Sequence, residues 1–399
     1  MHIDLGILPS LIVAIAILFA GYLLVTRIAL LGHYNIPVPV AGGILFAAGF
    51  ALLYTQTPLR LAFNTDLRAF FMMAFFTTVG LGADLAQLRQ GGKNLLLLLV
   101  LVVLFLTLQN AVGSAMAFLL DLHPSLGLLA GSITLSGGHG TGAAYAERFG
   151  AVQNLHGVME LTLASATFGL VIGGLIGGPV AQFLISRHGL QAQAQQASPE
   201  HADATAAEPL SPHSVLATLL LILIGVVAGE ALSRLFAQAP VTLPSFIWAL
   251  FVGVLLRNSL GVLRFYRVHG QSLDLLGSLS LWLALALAFM GLKLWELIGL
   301  AGPLLIILIS QTLAMILFAV FVTFRVMGAN YDAAVMAGGH CGFGMGATPT
   351  AIANMQAVTA RYGASPQAFI VIPLIGAFFV DLANALVIQG YLALPMHGF

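Results

Sequence analysis

Charge is what this sequence has least of. Of its 399 residues 7% are Asp, Glu, Lys or Arg and 60% are hydrophobic, and the mean hydropathy is +1.02. A soluble domain carries roughly 25% charged residues because its surface faces water. Here most of the surface must face lipid. The 14 basic and 14 acidic residues cancel, which gives no footing for a nucleic-acid partner. One cysteine, Cys341, excludes an internal disulfide. Hydrolase signatures are missing too. There is no His-Glu-x-x-His and no Gly-x-Ser-x-Gly, and Gly80-Leu-Gly82-Ala-Asp84 misses a Gly-x-Gly-Asp pattern by one residue. The chain is therefore read as a non-enzyme without an organic cofactor. No Lys or Arg precedes the apolar run from Leu5 to Val25, and no small-residue cleavage pattern closes it. That run is expected to be a spanning helix rather than a cleavable signal.

What is present is a succession of apolar runs near the length of about 20 residues that crosses a bilayer. Five fall in the first half, at 5–26, 36–56, 68–86, 95–120 and 155–185, and five in the second, at 214–236, 244–260, 272–292, 299–324 and 366–392. The expectation is an all-α membrane protein of about ten spanning helices. Between the halves, 186–213 is rich in Gln, Ala, Pro and acids and has no apolar period. It reads as a flexible cytoplasmic linker.

The halves, 1–185 and 214–399, read as repeats. Each holds a Gly-Gly-His, at 137–139 and 338–340, inside glycine-rich text followed by a last apolar run with one acid; Gln109 and Gln311 lie in the preceding runs. Five spans per half require the repeats to be inverted. Placing the linker inside puts Arg27, Arg89, Lys93, Arg187, Arg257, Arg264, Arg267, Arg325 and Arg361 inside, nine against five outside. The positive-inside rule favours that orientation. A cysteine placed in the linker should then react with an impermeant thiol reagent only in inside-out vesicles; labelling from the periplasm reverses the assignment.

The glycine-rich segments, Ser136–Ala144 and Ala337–Met355, read as poor helix formers at membrane depth, since each Gly costs about 1 kcal/mol against Ala. Non-helical backbone survives there only where it lines a cavity or is buried in protein. The expectation is two re-entrant hairpins, near 125–150 and 330–362, whose half-helix N-termini attract a carboxylate and whose free carbonyls coordinate a cation. Candidate substrate contacts are Ser136, Gly137, Gly138, His139, Gly140 and Thr141 in the first. In the second they are Gly339, His340, Gly342, Thr348, Thr350 and Asn354, with Pro349 opening a half-helix. His139 and His340 read as hydrogen-bonded braces sooner than as zinc ligands, lacking helical partners.

Acids inside spans are costly and default to function. Glu160 and Asp381 take similar places in the two last runs, and Asn384 follows Asp381 by one turn. With Gln109 and Gln311 they form the candidate cation-coupling set, Na⁺ at Asp381 in particular; the two glutamines could equally bond across helices as glue. Glu230 and Arg234 read as an interfacial ion pair. Lys293 reads as snorkelling beside Trp295. Gly169, Gly173 and Gly177, spaced by four, read as a packing ridge.

Long stretches of this text resemble the bacterial glutamate:sodium symporters. They include Ile-Pro-Val-Pro-Val-Ala-Gly-Gly (36–43), the run 128–144 around Ser-Gly-Gly-His-Gly-Thr-Gly, and Met-Gly-Leu-Lys-Leu-Trp-Glu-Leu (290–297). They also include Gly-His-Cys-Gly-Phe-Gly-Met-Gly-Ala-Thr-Pro-Thr (339–350). The resemblance spans nearly the whole chain except the linker. It implies Na⁺-driven glutamate uptake across a bacterial inner membrane by a lipid-embedded homodimer moving as an elevator. The residues alone stop at a secondary carrier for an anion with a coupling cation. A citrate or proton-coupled carrier of the same architecture is the nearest rival. A passive channel would need a ring of like pore-lining groups.

Overall fold

The computed structural model describes residues 2–33, 36–56, 60–85, 92–153, 157–192, 209–236, 243–263, 266–292 and 300–395. Most of the linker, Arg89, Arg264, Lys293 and Trp295 lie outside them.

In the first half a strand β1 (His2–Leu5) leads into α1 (Ile7–Arg27), a short α2 (Ala29–His33), α3 (Val38–Gln56), strand β2 (Arg60–Phe63) and α4 (Leu67–Gly82). Then come α5 (Gly92–Leu119) and α6 (Pro124–Leu128), which continues as a π turn over Leu129–Ile133, α7 (Gly138–Gln153) and α8 (Val158–His188). The second half holds α9 (Pro212–Leu235), α10 (Ser245–Leu263), α11 (Gly270–Met290) and α12 (Ala301–Phe318) with a π turn at Ala319–Thr323. It closes with α13 (Tyr331–Met345), α14 (Thr348–Tyr362), and α15 (Pro366–Leu374) joined through a π turn, Ile375–Phe379, to α16 (Val380–Leu392). Seven of the described helices are long and apolar enough to cross a membrane, with shorter apolar helices beside them. At about 1.5 Å per residue, a helix such as α11 matches a hydrocarbon core about 30 Å thick. Helices prevail because each backbone amide left unpaired in lipid costs several kcal/mol.

Two sequence expectations need correction. The fold is not purely helical, because β1 and β2 pair in parallel, Ile3 opposite Leu61. Four residues of strand beside apolar helices leave too little pattern to show in sequence. The second correction concerns the glycine-rich text. Most of it is helical: α13 runs unbroken through Gly338, Gly339, His340 and Gly342, and α7 begins at Gly138. The per-glycine penalty refers to a helix in water. Here it is offset by the larger cost of bare amides at depth and by the close approach that glycine permits. Gly342 faces the backbone of Ala351 on α14, and the Gly169-Gly173-Gly177 ridge of α8 faces α13 carbonyls of Gly338, Gly342 and Met345.

The helices sort into two groups. In one, α4 packs on α10 and α11, α9 lies on α10, and α1 on α3. The α4–α10 crossing is close enough that Gly80 faces the carbonyl of Leu250 and Gly253 that of Thr77. In the other, α8 packs on α13 and α14, α5 on α6 and α12, and α16 on α5. Few contacts join the groups. Gly140 of α7 faces Phe75 and Leu281, Tyr145 meets the Phe246 ring edge-on at 5.3 Å, and Arg68 pairs with Glu147 at 2.9 Å. Helix order repeats between the halves: three helices of the first group, one long helix, a broken pair, then a last long segment.

Candidate functional site: where two interrupted helices meet

Each half interrupts its helices once within the second group. In the first half the break opens at Gly131, whose φ of −106° and ψ of −135° leave the helix, and closes at Gly138, whose φ of +67° is a left-handed value that other residues adopt at a cost. In the second half it is shorter. Helix α13 ends at Gly346 (φ −150°, ψ −96°), Ala347 is extended, and α14 starts with Pro349 in its first turn. That Pro has no N–H to lose at this position.

The breaks are bound to each other. The Ser136 hydroxyl donates to Gln109 Oε1 at 2.7 Å and lies 3.0 Å from the Gly344 carbonyl near the end of α13. Gln109 Nε2 donates to that same carbonyl at 2.8 Å, and Gln311 Nε2 donates to the Gln109 carbonyl at 2.8 Å. Gln109 and Gln311 are both fully buried. They therefore tie α5, α12 and both breaks into one network, which is the cross-helix role.

Ser132 is the second focus. Its N–H donates to Asn110 Oδ1 at 3.1 Å, and its carbonyl accepts from Asn384 Nδ2 at 2.8 Å and from the Gly137 N–H at 3.0 Å. Among the described residues several buried polar atoms of these elements have no hydrogen-bond partner: Ser132 Oγ, Asn384 Oδ1 and Asn110 Nδ2 here, Gln311 Oε1 on α12, and Thr350 Oγ1 in the first turn of α14. Buried polar atoms are nearly always paired, so bare ones on the elements that form both helix breaks are unusual. Helices α7 and α14 both begin at the breaks, which directs their positive ends here.

The family can now be read from the whole chain. Residues 3–364 match the model for the sodium/glutamate symporters. The chain belongs to the sodium/glutamate symporter family. It is 48% identical over 399 residues to the sodium/glutamate symporter of Escherichia coli strain K12, covering 99% of each chain. To the protein of the same name from Haemophilus influenzae it is 44% identical over 390 residues, 95% of each. With seven spanning-length apolar helices among its described residues, this family member is an integral membrane protein.

Not every candidate residue of this family member reaches the breaks in the same way. His139 is held 3.1 Å from Thr167 Oγ1 of α8. His340 lies 3.0 Å from Thr323 Oγ1, stacked on Phe343 and edge-on to Phe105 and Phe318. Both rings have a bracing partner. Asn354 donates to the Gly173 carbonyl at 2.8 Å and so locks α14 to α8. Gly339 sits within α13 against Ile372 and Met355, and Gly140 lies at the seam between the groups. Thr141 is buried, and Thr348 is half-buried against Gly376.

Asp381 is half-buried, directly after the π turn and one helical turn before Asn384. Among the described residues no donor or cation reaches its carboxylate. Glu160, also buried, is in the first turn of α8, whereas Asp381 is mid-way along the α15–α16 segment. The two acids therefore do not occupy matching places, because that segment starts well before its acid. Glu230 and Arg234 do form an ion pair. Sequence reasoning does not single out Ser132 or Thr323. Ser132 stands in Ala-Gly-Ser-Ile-Thr, where one hydroxyl among apolar residues gives no periodic signal; Asn110, beside Gln109, is the available hint.

Proposed function

We propose that this protein carries glutamate into the cell together with Na⁺. The family match over residues 3–364 carries the reading. The geometry supports it: the N-termini of α7 and α14 favour a carboxylate, and the bare oxygens of Ser132 and Asn384, with Asp381 one turn before Asn384, suit a hard cation. In this reading α7 and α14 contribute Gly138, His139, Thr141, Thr348 and Thr350 to the substrate side. Ser136 and the two glutamines hold the breaks in register. The fold is read as two inverted repeats with re-entrant hairpins at Pro124–Gln153 and Tyr331–Tyr362, in a homodimer of the bacterial inner membrane. The test is glutamate uptake into proteoliposomes. An inward Na⁺ gradient should drive accumulation, an equal K⁺ gradient should not, and excess citrate should leave it unchanged. Uptake driven equally by a proton gradient alone would transfer the coupling role from Na⁺.

The sparse contact between the helix groups supports an elevator motion, in which the group holding the breaks slides against the other. Arg68 of α4 and Glu147 of α7 span the seam in a partly exposed ion pair. Such pairs contribute only about 0–1 kcal/mol, so replacing both should spare the fold. Arg68→Cys with Glu147→Cys, bridged by a reducible bifunctional thiol reagent, should stop uptake, and reduction should restore it. Transport at the uncrosslinked rate through the joined pair would exclude a sliding step there.

A further inference from the structure

Helices α8 and α12 lie side by side in the group that carries the breaks, and a groove of about 470 Å³ runs between them. Its walls include Ile176, Pro179 and Phe183 of α8, with Leu317, Val320 and Phe321 of α12 and its π turn. Two irregularities open it. Pro179 deprives α8 of one backbone hydrogen bond, and opposite it the π turn Ala319–Thr323 widens α12. The side chains of the walls are all apolar, and Phe183 and Phe321 are about half exposed, 49% and 53%.

One end of the groove is basic. The Arg187 guanidinium lies 5.8 Å from the Phe183 ring centroid, and that of Arg325 lies 5.6 Å from Phe321. The His188 and Phe324 rings, 5.0 Å apart, bring the two helix ends together. Both arginines therefore lie at the same end of the helix pair that lines the groove. Among the described residues neither has a carboxylate partner; the ion pairs there are Arg68–Glu147, Arg234–Glu230 and Arg257–Asp84. Two guanidiniums without a carboxylate partner among the described residues, at one end of an apolar slot, suit a phospholipid with an anionic headgroup: phosphate at the mouth, acyl chain in the slot. We propose that this groove is a binding site for an anionic phospholipid, seated on the transport body itself. A zwitterionic lipid would fill the slot equally but gain less from the arginines. The proposal does not depend on which solute is carried.

The experiment uses the full chain in detergent micelles, with palmitoyl-oleoyl phosphatidylglycerol, the matching phosphatidylcholine, or glycerol phosphate added. Binding is read by native mass spectrometry and by the thermal midpoint. Each basic residue near a lipid surface contributes about 1 kcal/mol, about fivefold in affinity. Phosphatidylglycerol should therefore bind up to about thirtyfold more tightly than phosphatidylcholine, less at high salt. Arg187→Gln with Arg325→Gln should abolish that preference, and the Lys pair should keep much of it. Val320→Trp, which fills the slot, should weaken both lipids. If the glutamine pair does not fold, the salt dependence of the wild-type preference decides. No preference in the wild type overturns the proposal, as does a preference that survives the glutamine pair or high salt. An equal effect of glycerol phosphate would mean an ion site without a lipid chain. Crosslinking of Leu317→Cys between two copies would mean a second protein on the groove; either result overturns the proposal.

Discussion

Gly342→Val abolishes uptake and lowers the thermal midpoint, while Gly302→Ala does neither. At Gly342 an added Cβ would stand 2.6 Å from the Ala351 backbone nitrogen, and backbone cannot step aside as a flexible side chain can. Helices α13 and α14 would have to separate. Overpacking of this kind costs about 1–3 kcal/mol and shifts the backbone around it. The shift falls on the Gly344 carbonyl, two residues on, which holds Ser136 and Gln109. Gly302, near the start of α12, has open space around it. Gly339→Val should be intermediate, because its neighbours at 3.0–3.1 Å are side-chain atoms of Ile372 and Met355. Uptake by the three purified variants, normalised to folded protein, gives the ranking. Normal transport by Gly342→Val would show that the tight α13–α14 crossing is dispensable.

Asp381→Asn should uncouple glutamate binding from Na⁺. Asp381 comes directly after the π turn, and no donor or cation among the described residues reaches it. A carboxylate in a spanning segment is costly unless something positive joins it. The bare oxygens of Asn384 and Ser132 make Na⁺ the fitting companion, and its binding would then favour the anionic substrate. A coupling free energy of about 1–3 kcal/mol corresponds to about 5- to 150-fold and acts equally in both directions. In the wild type, saturating Na⁺ should tighten glutamate binding by a factor in that range, and glutamate should tighten Na⁺. In Asp381→Asn both effects should fall towards unity, with little loss of thermal stability. Titration calorimetry at varied Na⁺ measures this directly. A wild-type Na⁺ response in the variant would make Asp381 structural and move attention to Glu160.

Much of the architecture was legible because lipid imposes one simple demand. Apolar runs near 20 residues mark spanning helices, and the ends of α1, α3, α9 and α11 fall within a few residues of the runs that announced them. Glycine was harder to read. Its helix penalty signalled unwinding at Gly339 and Gly342, yet both lie in an intact helix, since the same lack of a side chain serves close packing. Of the glycines named as substrate contacts only Gly138 has a positive φ. Polar residues in apolar helices were visible as such. Whether Gln109 faced substrate or another helix depended on where Gly344 lay, 235 residues away. The pairing of β1 with β2 and the contact of Ser132 with Asn384 likewise join distant segments whose local patterns carry no mark of each other.

The π turn at Ile375–Phe379 sets the angular phase of α16. Successive residues of an α-helix are rotated by about 100°, and a π turn takes one more residue to close than an α turn does. Every residue of α16 is therefore turned relative to an uninterrupted helix. That rotation brings Asn384 round to the Ser132 carbonyl and leaves Asp381 one turn behind it. Removing a single residue here would keep every polar side chain and every charge, yet aim Asn384 and Asp381 at a different neighbour. The sodium response would then be lost through rotation, with no ligand deleted.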